Sequence, residues 1–130
     1  MDAVKDILAQ NIVGTVATLN DDGSPWATSV HVFADDEAIY WFSKSDHQHS
    51  RNVARDARVS VALWSQDGGT KGAYVSGKAT QLDAEETAAI LATVVVGTAP
   101  PFFNGTSAYR LPLGQLNEAR SSDKRWYFYS

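Results

Sequence analysis

The sequence contains no cysteine. That excludes disulfides, thiol nucleophiles and cysteine metal sites, and it removes any reason to expect an oxidising compartment. Long hydrophobic runs are missing too. The longest apolar stretch, Ala88 to Gly97, falls far short of the ~20 residues that span a bilayer. Positive charge is scarce: 11 Lys and Arg stand against 15 Asp and Glu, for a net charge of −4. No basic stripe is present, so a nucleic-acid partner is not expected. The first residues, Met1 to Asn11, are amphipathic and carry acids. They lack the basic start and apolar core of a signal peptide, so the expected location is the cytoplasm. There is no G-x-S-x-G nucleophile elbow and no G-x-G-x-x-G dinucleotide fingerprint. Histidine is scarce, with three residues. Asp46, His47 and His49 are near one another, but residues i and i+2 of a helix point to different faces, and His31 lies elsewhere on a strand. No metal site is expected from that set.

What is present suits one domain over residues 1–130. A first helix is expected over Ala3 to Gln10, with Val4, Ile7 and Leu8 on one face. Strand patterns then follow at Gly14 to Leu19, Ser24 to Ala34 and Ala38 to Ser43. The first two are joined by the turn signal Asn20-Asp21-Asp22-Gly23. A short helix at His47 to Arg55 precedes strands at Arg58 to Ser65 and Ala73 to Leu82, which flank a glycine-rich turn. Asp83 and Glu86 have capping-box spacing for a helix over Ala84 to Val95. Thr98 to Asp123 reads as irregular, and Arg125 to Tyr129 as a closing strand. The fold expected is mainly β: about six antiparallel strands in a barrel with a few helices. Trp26, Phe33, Trp41, Trp64 and Tyr74 cannot all point into so small a barrel. The surplus aromatics, among them Trp41 and Trp64, predict a homodimer interface or a ligand wall.

The stretch Ser43 to Asn52, S-K-S-D-H-Q-H-S-R-N, holds the densest polar chemistry. It lies where a strand gives way to a helix that Ser45 or Asp46 would cap. The first-turn N–H groups of such a helix lack partners and favour an anion. Hydroxyls (Ser43, Ser50), cations (Lys44, Arg51) and imidazoles (His47, His49) surround that start. Arg51 is suited to paired hydrogen bonds with phosphate oxygens. A solvated helix start accounts for the same residues. No acid/base group stands out for catalysis; Tyr74, Tyr109 and His31 qualify by residue type alone.

Three blocks in order resemble the pyridoxamine 5'-phosphate oxidase-like FMN-binding split barrels: Gly14 to Val30, with its D-G-x-P turn; Ile39 to Ala62, with H-S-R-N opening the helix; and V-S-G-K-A at Val75 to Ala79. The resemblance covers about Asn11 to Leu82. It implies a six-stranded split barrel that binds FMN as a homodimer and acts as an oxidoreductase, for instance a reductase of small electrophiles. It also implies site residues. Thr28, Ser29 and Val30 would meet the flavin ring through backbone groups. Phe42 and Ser43 would lie at the ribityl chain, and Lys44, His47, His49, Ser50 and Arg51 at the phosphate. Trp64 or Trp126 of the second subunit would cover the ring. The oxidase proper has an Arg-Lys pair where this chain has Gln48 and His49, an arginine at Thr28, a glutamine at Gly72, and a C-terminal R-x-H signature that is absent here. A true oxidase of the vitamin phosphate is therefore not implied. A deazaflavin coenzyme in place of FMN, or flavin storage and sensing without turnover, stay open.

Overall fold

The structure, a computed structural model, describes residues 2–9, 12–65, 70–94 and 105–130. Its elements in chain order are α1 (Asp2–Ala9), β1 (Ile12–Leu19), β2 (Pro25–Ala34), β3 (Ala38–Ser43), α2 (Gln48–Arg55), β4 (Arg58–Trp64), β5 (Gly72–Lys78), β6 (Thr80–Gln81), α3 (Ala84–Thr93), β7 (Ser107–Pro112), β8 (Gln115–Leu116) and β9 (Arg125–Tyr129). Strand residues outnumber helical ones, as the pattern predicts. Residues 66–69 of the glycine-rich turn and the ends of the first and third predicted helices (Gln10, Val95) fall outside the described residues.

The β1–β2 hairpin forms where the turn signal places it. Gly23 takes φ +83°, and the Gly23 amide donates to the Asn20 carbonyl at 2.9 Å. Among the described residues the strands make one sheet, in the order β6-β7-β3-β2-β1-β4-β5-β9-β8, which curls into a split barrel. Two expectations need correction. Among the described residues the strands number nine rather than six, because part of the stretch read as irregular forms β7 and β8 and the predicted strand Ala73 to Leu82 is divided into β5 and β6. The irregular reading rests on Pro100, Pro101 and Asn104-Gly105, whereas Pro112 falls at the end of β7 and Gly114 just after it, where neither interrupts the ladder. Nor is the sheet wholly antiparallel: β9 runs parallel to β5, with Ala73 opposite Trp126 and Val75 opposite Phe128.

The main core fills the concave face. Val16, Val61 and Val75 meet Phe128 across β1, β4, β5 and β9, and Ile7 of α1 and Val53 of α2 belong to the same cluster. A second cluster lies on the other side of β3, where Phe33, Ala38, Tyr40 and Phe42 pack beneath Ile90 and Leu91 of α3 and its C-cap Val94. Strand β3 is thus buried on both faces, which explains its continuous apolar composition. This corrects the expectation for Trp41. Its indole is 0% exposed, stacked on Tyr109 at 6.0 Å inside the chain's own core, and is not available to an interface. Phe33 is likewise buried, whereas Trp26 and Trp64 are 42% and 44% exposed.

Candidate functional site

Strand β2 pairs with β1 from Pro25 to Val32 but with β3 only at Phe33–Tyr40 and Ala34–Ile39. The strand therefore parts from β3 along Pro25 to Val32, and α2 packs beside β1 and β2 near this split. Thr28 and Val30 are half-buried there and Ser29 is exposed. No described strand pairs with that side of β2 between Pro25 and Val32.

The loop after β3 turns through a 3.2 Å bond from the His47 amide to the Lys44 carbonyl and enters α2. The N-cap is His47, with no side-chain cap bond, and not Ser45 or Asp46 as the spacing suggested. The first-turn amides consequently keep their donor capacity. Ser43 Oγ and His49 Nε2 share a buried 2.7 Å hydrogen bond. Burial first, and the neighbouring His47 second, hold the His49 pKa below its usual 6.5, so this ring is neutral at pH 7. Ser50 is 2% exposed, and its hydroxyl has no hydrogen-bond partner among the described residues. Lys44 and His47 are exposed. The guanidinium of Arg51 donates to the Asp46 carbonyl and, at 2.6 Å, to Gln48 Oε1.

A node that the sequence reading missed lies one turn further on. Asn52 is 0% exposed. Its Nδ2 donates to Thr18 Oγ1 at 3.0 Å and to Asn20 Oδ1 at 2.9 Å. Its Oδ1 accepts from Gln48 Nε2 at 3.0 Å and from Arg55 Nη1 at 3.4 Å. The available signal was an asparagine inside a helix, against its propensity, one turn after a glutamine and next to apolar Val53.

The other predicted residues are dispersed. Phe42 and Ser43 are neighbours on β3 with side chains on opposite faces, so Phe42 belongs to the cluster under α3. Trp126 packs against the main core, in register with buried Leu63 and Ala73, while Trp64 stands on the convex face. Tyr109 is buried and Tyr74 stacks on Tyr127 at 4.6 Å. Among the described residues no His, Asp and Glu group could hold a metal. A cleft of about 510 Å³ beside α1 is lined by Leu8, Ala34, Asp35, Leu113 and Phe128 and involves none of the predicted site residues.

A family model described as pyridoxamine 5'-phosphate oxidase matches residues 1–111. The chain belongs to this family. Membership agrees with the split β2–β3 pairing and the β3–loop–α2 arrangement. A protein of unknown function from Agrobacterium tumefaciens superposes with a TM-score of 0.70 at 24% identity, over 85% of this chain and 53% of that one. A heme-binding protein from Mycobacterium smegmatis gives 0.66 at 28% identity, over 82% of this chain and 48% of the other. An F420 reductase gives 0.67 at 17% identity, over 83% and 91%. The chain thus spans about half the length of the first two. A search of curated proteins found no match. No described helix is long and apolar enough to cross a membrane.

Proposed function

We propose that this family member binds a phosphorylated flavin as an oxidoreductase, with the phosphate at the start of α2 and the ring along Thr28 to Val30 of β2. The observation that carries the reading is Ser50: a buried hydroxyl without a partner, in the first turn of a helix whose N-cap makes no side-chain bond. Burying an unpaired hydroxyl costs about 1–3 kcal/mol, and a phosphate oxygen would recover it. Ser43, His49 and Arg51 add donors around the same point, and the split beside β2 leaves room for a planar group. The residues present therefore fit the group.

When bound, the flavin supplies the hydride- or electron-transfer chemistry. The chain's own part is to orient and shield it. Neutral His49 and Ser43 offer hydrogen bonds, Lys44 and Arg51 offer charge, and Trp64 of a second copy would cover the ring in a homodimer. FMN is the first choice. A deazaflavin coenzyme is the second, favoured by Gln48 and buried, neutral His49 at the phosphate, since few fixed cations suit a phosphate of lower charge.

The test is a titration of FMN and riboflavin by fluorescence quenching. FMN should bind much more tightly in the wild type, and Arg51→Ala should weaken FMN by about tenfold or more while sparing riboflavin. Equal affinity for the two flavins in the wild type would remove the phosphate site. A colourless protein that binds added deazaflavin but not FMN would shift the reading to the second coenzyme.

A further inference from the structure

The hydrogen bonds of α2 form a continuous path from the β1–β2 hairpin to the proposed phosphate loop. Asn52 is held by Thr18 and Asn20 of the hairpin, and its carbonyl oxygen accepts from Gln48. The Gln48 amide nitrogen also donates to Asn20 Oδ1 at 3.4 Å, while the Gln48 carbonyl oxygen accepts from Arg51. The far side of that guanidinium donates to the Asp46 carbonyl, inside the loop. With two donors and two acceptor bonds in use, Asn52 has its hydrogen-bonding capacity filled, so its amide cannot flip without breaking the set. The Gln48 orientation follows from it, because the amide nitrogen must face Asn52 and the oxygen is then left for Arg51.

We infer that Gln48 and Asn52 are positioning residues for anion recognition, which aim Arg51 at the start of α2 by locking the helix's first turn to the β1–β2 hairpin. This rests on the reading that the flavin phosphate is held there. An unguided arginine must give up rotamer freedom when it engages a phosphate; one already held by Gln48 and Asp46 has lost it beforehand. The same hairpin continues into Thr28 to Val30, so one network sets the phosphate end and the ring end relative to each other.

The experiment titrates FMN and riboflavin into wild type, Gln48→Ala, Asn52→Ala, Arg51→Ala and the Gln48→Ala/Arg51→Ala double variant. Gln48 is only half-buried, so its truncation keeps the fold testable if Asn52→Ala does not fold. Gln48→Ala should lower the preference for FMN over riboflavin by roughly two- to tenfold, the span of one hydrogen bond, with riboflavin affinity unchanged. The double variant should lose no more than Arg51→Ala alone, because Gln48 acts through the arginine. Equal losses for both flavins, an unchanged preference, or losses that add would overturn the inference while leaving the phosphate site standing. No preference for FMN in the wild type would overturn both.

Discussion

His49 ties the stability of the fold to pH. It is buried against Ser43 with His47 beside it, and both burial and that neighbour depress its pKa below 6.5. The unfolded chain therefore takes up a proton at a pH where the folded chain does not. Stability from this residue is complete above the unfolded value and is lost as pH falls through the lower, folded one. Urea midpoints should be lower at about pH 5 than at about pH 8, and His49→Gln should flatten that slope. A slope unchanged by the substitution would mean that other groups set it. The two tryptophans make the opposite pair. Trp41→Ala should cost about 3–5 kcal/mol in urea unfolding, because it empties the core around Tyr109. Trp64→Ala should cost much less in a monomer, since its indole is 44% exposed.

At the level of elements, short-range chemistry sets where helices and turns begin. In α3 the Asp83 side chain accepts from the Glu86 amide at 2.8 Å while Glu86 Oε1 accepts from the Asp83 amide at 3.2 Å. This is the capping box that the spacing predicts. Asp83→Ala should destabilise by about 1 kcal/mol. Gly114 is more demanding. It has φ +69°, and an added Cβ would come 2.0 Å from the Tyr129 carbonyl oxygen. Gly114→Ala should therefore cost more than the ~1–2 kcal/mol of the left-handed conformation alone, and the loss should fall on the β8–β9 pairing. Gly23→Ala is the control: φ is +83° but nothing lies within 4 Å, so the conformational cost should stand alone. Comparing the two by urea unfolding separates strain from clash.

At the scale of the molecule, the described residues leave the outer face of β1, β4, β5 and β9 uncovered. Val13, Trp64 and Tyr129 are each more than two-fifths exposed on it, and the Tyr74–Tyr127 stack lies between them. Apolar area of this kind is what a second copy would bury, so we expect a homodimer. Light scattering should give twice the 14.1 kDa chain mass. Trp64→Arg should shift it towards the monomer, and with it weaken flavin binding if the partner's tryptophan covers the ring. A monomeric wild type at micromolar concentration, with flavin fully bound, would end the dimer proposal.

The sequence by itself determined what depends on near neighbours. The hairpin turn with its glycine, the capping box of α3 and the polar block at the start of α2 all follow from sterics and hydrogen bonds a few residues apart. The resemblance carried by three blocks led to the same family. Tertiary structure decided the rest. A period of two says that a strand has two faces but not what covers each, so Trp41 reads as surplus, whereas folding sets it on Tyr109 in the main core while α3 covers the opposite face of β3. The parallel pairing of β9 with β5 joins positions some fifty residues apart, and no local pattern encodes a pairing over that distance. Asn52 belongs to the same class. Its four partners come from a hairpin more than thirty residues earlier and from its own helix, and only folding brings them within hydrogen-bond reach.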